Sequence, residues 1–199
     1  MKVQWKILLI LCAVGNFALY AQEPTDQNDL LRDLKSASTT DQASAKLLKR
    51  AKSDANVRKL LADALPPVIQ EDPRGALQVW MNAVRLAGEL RIADTADALA
   101  KWIDFDDSGI TSLSGHFRLQ DRPAARSLAQ IGDPAIPALT GVLDKGTAGE
   151  REEAMLALHM ICSPQANKIL RERLANEPDS EIKARLTKLL QADAAHAEK

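Results

Sequence analysis

The sequence has few cysteines, few aromatic residues and no excess of basic charge. Its 199 residues include two cysteines, one tyrosine and 4% aromatic residues in all. Lysine and arginine number 26 against 27 acidic residues, which gives a formal net charge of −1. Proteins that bind nucleic acid usually carry a basic excess or stripe, because phosphate contacts supply most of their affinity. We therefore expect no nucleic-acid partner.

The first 21 residues have the layout of a secretory signal peptide. Two lysines precede an apolar run from Ile7 to Val14, and the small residue Ala21 stands at a plausible cleavage site. A membrane-spanning helix needs about 20 apolar residues, and Asn16 interrupts this run, so an uncleaved anchor is the weaker alternative. A lipoprotein cut before Cys12 would leave a very short apolar core. We predict that residues 1–21 are a signal peptide and that the protein is exported.

Cleavage would leave a chain that folds without covalent links. Removing residues 1–21 from the 199-residue chain leaves 178 residues, with 24 basic and 27 acidic side chains and a formal charge of −3. Cys12 is removed with the signal peptide, so Cys162 becomes the single thiol and no internal disulfide can form. No membrane span is expected after signal removal. The fold must then rest on packing alone.

From Asp41 onward, apolar residues recur at spacings of three and four, which is the helical period. No stretch alternates polar and apolar residues as a strand does. We predict helices at 41–52, 55–70 with a break at Pro66 and Pro67, 75–90, 94–103, 122–131, 134–144, 149–161, 164–175 and 180–191. The predicted organisation is a polar leader at 22–40, a helical domain at 41–192 and a frayed tail at 193–199. A weak helical patch around Leu30 leaves room for one short helix in the leader.

A sequence pattern repeats after 30 residues in the second half of the chain. Self-similarity at such a period is typical of a solenoid, in which each helix pair is too small to bury its own apolar stripe and stacks on its neighbours. Between the two helices of the first copy, Gly132 suits the residue that closes a helix. The first copy contains Ala124, Leu128, Ile131, Pro134 and Leu139, and the second contains Ala154, Leu158, Ile161, Pro164 and Ile169.

The run LAQIGDPAIPAL, with Ala124 before it and Leu143 after it, resembles the short HEAT-like repeat of many bacterial proteins and of the phycobilisome lyases. The resemblance covers residues 122–175 well and residues 41–103 as a pattern of helical hairpins. It implies an all-α fold, a short right-handed α-solenoid in a single domain, and a bacterial source, which would make the exported protein periplasmic or secreted. It also implies an interaction platform whose second helices often line the binding face. On that resemblance the candidate partner contacts are Asp97, Lys101, Lys168 and Arg171.

Two motifs could carry chemistry. His159 and Cys162 are three residues apart on one predicted helix, as in a nucleophile pair, but no third group orients the histidine. A small buried thiol at a tight helix end that faces the core is the simpler interpretation. The run from Asp104 to Gly109 opens like a calcium loop, but the twelfth position, which needs a bidentate glutamate, is Gly115. We predict no catalytic residue, no metal site and no cofactor.

Residues 104–121 are the longest interruption of the helical pattern. They hold Phe105 and Phe117, half of the aromatic residues left after signal removal, together with His116 and Arg118. Insertions between solenoid repeats often lie on the binding face, and aromatic and arginine side chains dominate interface energetics. One hypothesis makes these four residues partner contacts. The other has both phenylalanines fill a gap between hairpins.

The favoured function is a non-enzymatic, exported scaffold or adaptor that binds another protein. The alternative is a HEAT-fold tetrapyrrole lyase or a chromophore-binding protein, although the chain would keep no tyrosine and few aromatic residues after export. A third hypothesis is a structural part of an envelope complex.

Overall fold

The computed structural model describes residues 23–106 and 122–197, and within these ranges the protein is helical and contains no strand. Short 3-10 turns at Ala93–Thr95 and Asp133–Ala135 lead into two of the helices. None of the helices in these ranges is long and apolar enough to cross a membrane. The helices are α1 (Glu23–Leu34), α2 (Thr40–Ala51), α3 (Ala55–Gln70), α4 (Leu77–Glu89), α5 (Ala96–Ala100), α6 (Pro123–Ile131), α7 (Ile136–Lys145), α8 (Ala148–Ile161), α9 (Pro164–Asn176) and α10 (Ser180–Ala197).

The helices pack in two rows. In the first row α2, α4, α6 and α8 each pack against the next, and in the second row α3, α5, α7 and α9 do the same. Helix α1 packs against α2, and α10 packs against α8 and α9. Each hairpin thus buries its apolar stripe against its neighbours, as a helical solenoid requires. The predicted all-α solenoid is confirmed.

The repeat register predicted from the sequence matches the core. Leu128 and Leu158, which occupy equivalent positions in the two copies, are both completely buried. Leu139 of the first copy is also fully buried, whereas its counterpart Ile169 is only partly buried. Apolar side chains at this spacing form one stripe because a helical turn takes 3.6 residues.

Local signals set the helix ends. Thr147 and Glu150 form a reciprocal capping box at the start of α8, with nitrogen-to-oxygen distances of 2.6 and 3.3 Å. The Ser163 side chain accepts a backbone N–H at the start of α9. Gly132 ends α6 with φ 85°, and Cys162 ends α8 in the left-handed region with φ 55°. Glycine adopts such angles at little cost. The helix-end position predicted for Cys162 is observed, but the expected burial is wrong, because the thiol is exposed.

The predicted break at Pro66 and Pro67 is wrong. Helix α3 runs without interruption from Ala55 to Gln70 with both prolines inside it. Each proline removes one backbone donor, but the carbonyls that lose a partner belong to Ala62 and Asp63, which are not buried and can bind water. Burial of the last turn against the core holds the helix together beyond the prolines.

The helical stack begins before the predicted boundary and extends past the predicted end. Residues 22–40, expected to be a polar leader, contain helix α1, whose Leu30 and Leu34 are buried in the core. Polar residues surround these leucines, so the apolar pattern is too short to indicate a full helix. At the other end α10 continues to Ala197, through most of the predicted frayed tail.

Candidate functional site

A groove of about 500 Å³ lies on the first row of helices. Helix α4 contributes most of its wall, and α2 and the first turns of α6 complete it. Its lining mixes charged, amide and apolar side chains. The residues that line it are Asp41, Ala45, Gln78, Met81, Asn82, Val84, Arg85, Glu89, Pro123, Arg126, Ser127 and Gln130.

A buried hydrogen-bond network supports one wall of the groove. Asn82, which is 4% exposed, donates to the Asp41 carboxylate at 2.7 Å and to the Thr40 hydroxyl at 3.3 Å. Its side-chain oxygen accepts from Ser44 at 3.2 Å and from Arg85 at 3.2 Å. Buried polar groups with all their partners in place fix a single arrangement. The network therefore locks α4 onto α2 and holds the wall in one geometry.

The Asp41 carboxylate is held in its charged form. Hydrogen bonds from Asn82 and then from Gln78, the latter at 2.7 Å, lower the pKa of Asp41, and the nearby Arg85 guanidinium lowers it further. Hydrogen bonds to the charged form of a carboxylate act in this direction. Asp41 thus presents a fixed negative charge, and one of its two carboxylate oxygens, Oδ1, accepts both hydrogen bonds.

Helix α4 crosses α6 at close range on the other side of the groove. The Ser127 hydroxyl donates to the backbone carbonyl of Val84 at 2.9 Å. Gly88 makes this approach feasible, because a β-carbon there would lie 2.8 Å from Ser127 Oγ and closer still to the side-chain oxygen of Gln130. The groove thus rests on two rigid helix contacts.

The second row of helices carries a shallower depression of about 370 Å³, and two of the predicted contacts, Asp97 and Lys101, line it. The Lys101 ammonium donates to the backbone carbonyl of Gln70 at 2.9 Å and lies 4.9 Å from the centre of the Trp102 ring. Its charge is thus already engaged within the chain.

The other two predicted contacts on the second row, Lys168 and Arg171, are exposed on α9. Lys168 lies 4.0 Å from Glu172, one turn further along the helix. Neither residue lines the groove or the shallow depression. The structure therefore does not bring the four predicted contacts into one site.

Phe105 is packed against the core. Its ring meets Trp80 edge-on with 5.1 Å between ring centres, and Trp102 at 6.5 Å, while the Arg74 guanidinium lies 6.0 Å from its centre. For this residue the gap-filling hypothesis describes the geometry. His116, Phe117 and Arg118 lie outside the described residues, as does most of the calcium-like run that begins at Asp104.

Arg122 was not singled out from the sequence, yet it joins three parts of the chain. Its guanidinium donates to the backbone carbonyl of Asp104 at 2.8 Å and pairs with Asp106 and with Glu153, each at 3.3 Å. Residues 106 and 122 are the described positions that flank 107–121. Arg122 therefore links Asp104 and Asp106 to Glu153 of helix α8.

Two adjacent carboxylates on α8, Glu152 and Glu153, are buried, although glutamates on helices are usually solvated. Burial raises the pKa of Glu153, which is 2% exposed, to about 7, against the opposing effect of Arg122. Burial also raises the pKa of Glu152, although Arg185 of α10 lies 2.6 Å away. A usable signal was in the sequence: Glu153 stands four residues before the buried Ala157, on the apolar stripe. The two pairs link α8 to the elements on either side of it.

A third buried carboxylate, Glu177, pairs with arginines of both α8 and α9. Burial raises the pKa of Glu177, but hydrogen bonds from Arg151 and from the Asp179 backbone outweigh that effect, so its pKa is lowered. Arg151 lies 2.8 Å and Arg173 3.4 Å from its oxygens. A buried pair of this kind adds little net stability, because desolvation offsets the attraction, but loss of one partner would leave a buried charge unpaired.

Comparison with known proteins agrees with the repeat pattern. Residues 120–191 match the family model described as HEAT repeats. This part of the chain is HEAT-like. No curated protein matches the chain, and no solved structure matches it. The match supports HEAT-like repeats in helices α6 to α10 and gives no support to the finer resemblance to phycobilisome lyases.

Proposed function

We propose that the protein is a non-enzymatic scaffold that binds another protein through the groove on its first row of helices. HEAT repeats commonly serve as protein-interaction scaffolds, and the match at residues 120–191 supports that class of function. The observation that carries the choice of face is the groove itself, whose wall is fixed by the buried network around Asn82.

Pre-organisation makes this face suited to binding. A surface whose side chains are already held in place loses little conformational freedom when a partner docks. Arg85 is oriented by Ser44 and Asn82, and Gln78 by Asp41. Met81 supplies an adaptable apolar contact in the same groove. The combination of fixed polar groups and one flexible apolar side chain fits recognition of a polypeptide surface.

Export and the absence of catalysis belong to the same proposal. The charge and apolar layout of residues 1–21 supports an exported, bacterial protein of the periplasm or cell exterior. The buried carboxylates with shifted pKa values, Glu152, Glu153 and Glu177, each pair with an arginine of a neighbouring element. Structural ion pairs also shift pKa values, so these shifts need no catalytic role.

A pair of blocking variants tests the choice of face. Ala45 is exposed and lines the groove, so Ala45→Trp would fill it without touching the core. Gly141 lines the shallow depression on the second row, and a β-carbon at this position would have no atom within 4 Å, so Gly141→Trp fills that depression instead. Both variants are immobilised and exposed to an envelope extract, and bound proteins are quantified by mass spectrometry against the parent protein.

The two variants should behave differently. We expect Ala45→Trp to lose a protein that the parent and Gly141→Trp both retain. If only Gly141→Trp fails to retain the protein, the binding face lies on the second row of helices instead. If the parent protein retains nothing above a blank support, the scaffold proposal fails.

A further inference from the structure

Two arginines in the groove have no ion-pair partner among the described residues, and both line its surface. Arg85 lies on α4 and Arg126 on α6. Six other arginines of the described residues are paired with carboxylates. Those paired arginines are Arg32, Arg74, Arg122, Arg151, Arg173 and Arg185.

The Arg85 guanidinium is held in place by neutral groups. One of its terminal nitrogens donates to Ser44 Oγ at 2.7 Å and to Asn82 Oδ1 at 3.2 Å. Ser44 is completely buried and Asn82 nearly so, which anchors this nitrogen of the guanidinium. Neither of these hydrogen-bond partners is charged, and Arg85 makes no close ion pair with a described carboxylate, although the nearby Asp41 interacts with it electrostatically. The remaining donors are available to a ligand.

Arg126 lies on α6, lines the same groove as Arg85, and is separated from it by the contact between α4 and α6. Ser127 bonds to the backbone of Val84 at 2.9 Å, so the residues next to them in sequence, Arg126 and Arg85, stand on either side of the same crossing. Arg126 is exposed, and its side chain makes no hydrogen bond within the described ranges. Two guanidinium groups at one crossing suit a carboxylate, whose two oxygens can accept from both.

The rest of the lining distinguishes a peptide from a polyanion. Glu89 and Asp41 share the groove and would repel a ligand with many negative charges. Gln78 and Gln130 offer amide groups that can bond to a peptide backbone, and Met81 offers an apolar surface. A chain with a net charge of −1 also lacks the basic excess that phosphate polymers require.

We propose that the groove binds a peptide segment of a protein partner and holds a single aspartate or glutamate carboxylate of that segment between Arg85 and Arg126. This inference rests on the proposed scaffold function and names the chemistry of the partner. Gln78 and Gln130 bond to the peptide backbone on either side of the carboxylate, and Met81 contacts an apolar side chain next to it.

A matched set of probes tests the charge requirement. The isotope-labelled protein is titrated at millimolar concentrations with the peptide acetyl-GSLELSG-amide, with its counterpart carrying glutamine for glutamate, and with inorganic tripolyphosphate. The Nε–Hε signals of Arg85 and Arg126 are followed by NMR, and the signal of the exposed Arg171 serves as an internal control. The variants Arg85→Gln and Arg126→Gln assign the signals and test each guanidinium.

The glutamate peptide should give a saturable shift at Arg85 and Arg126 and none at Arg171. The glutamine peptide should bind at least about tenfold more weakly, as should the glutamate peptide to either variant, since a charge-assisted hydrogen bond is lost in each case. Equal binding of the two peptides, a comparable shift at Arg171, or tighter binding of tripolyphosphate would each overturn the proposal. Absence of any saturable shift would overturn it as well.

Failure of this inference and failure of the scaffold proposal give different results. If Ala45→Trp abolishes retention of a partner while the glutamate peptide does not bind, the groove is a docking face and only the carboxylate assignment is wrong. If the parent protein retains no partner, the scaffold proposal fails whatever the peptides show.

Discussion

Replacing Gly88 by alanine should destabilise the protein, although alanine is the better helix former. Alanine in place of glycine inside a helix normally stabilises by about 0.5 to 1 kcal/mol. At Gly88 the added methyl group would lie 2.8 Å from Ser127 Oγ and 3.0 Å from Ser127 Cα, closer than packed atoms approach. Ser127 is buried and bonded to the backbone of Val84, so it cannot simply rotate away.

The magnitude follows from these two opposing effects. Forcing one extra methyl group into a packed contact typically costs about 1 to 3 kcal/mol, which exceeds the gain in helix propensity. We expect a net loss of about 1 kcal/mol for Gly88→Ala. Gly141 lies in helix α7 with no atom within 4 Å of the added carbon, so Gly141→Ala should gain about 0.5 to 1 kcal/mol.

Urea unfolding followed by circular dichroism measures both effects from the transition midpoint and its slope. The two substitutions are chemically identical, so opposite signs isolate the α4–α6 contact. If Gly88→Ala proves as stable as Gly141→Ala with the same slope, the close approach of α4 to α6 is wrong, and with it the geometry of the groove.

Four further outcomes are expected. Leu128→Ala should lower the free energy of unfolding by about 2 to 5 kcal/mol, because Leu128 is completely buried. Leu77→Ala should lower it far less, because that side chain is 41% exposed, and urea unfolding compares the two variants. Phe105→Ser should lower the melting temperature, since the ring packs on Trp80, and an unchanged value would make Phe105 a candidate surface contact again. The pKa of Glu153 is raised from 4.5 to about 7 in the folded state, so its negative charge opposes folding. The free energy of unfolding should therefore rise by about 1 to 3 kcal/mol as the pH falls from about 7 towards 5. Glu153→Gln should remove most of this pH dependence, and a pH profile identical to that of the parent would refute the assignment. N-terminal sequencing of the protein recovered from the cell envelope or the medium should begin at or near Gln22, and an intact Met1 would contradict the predicted signal peptide.

The sequence predicted the helices well because their apolar residues repeat with a period that strands do not share. Helix α8, expected at 149–161, is Ala148–Ile161, and α9, expected at 164–175, is Pro164–Asn176. The predicted break at the prolines of α3 was wrong, because burial of the final turn outweighs two lost hydrogen bonds. Helix α1 was underestimated because two buried leucines in a polar stretch form too weak a pattern to distinguish a packed helix from a leader.

The groove could not be predicted, because it forms where three helices of separate hairpins meet. Asn82 bonds to Asp41 and Thr40, about 40 positions earlier in the chain. No local pattern shows that an asparagine on one helix will face a carboxylate on another. The resemblance pointed to the second row of helices instead, where Lys101 is engaged by the backbone of Gln70. Local periodicity specifies which face is buried, but not which exposed faces come together.

The most direct test of the groove as the binding face is site-specific photo-crosslinking in cells that produce the protein. A photoreactive side chain is placed singly at Gln78 and Glu89, which are exposed in the groove, and at Lys101 and Lys168 on the second row. Crosslinked products are identified by mass spectrometry. We predict that one partner protein is crosslinked from both groove positions and from neither position on the second row. Crosslinking of that partner from Lys101 or Lys168 alone, or from none of the four positions, would contradict the groove as the binding face.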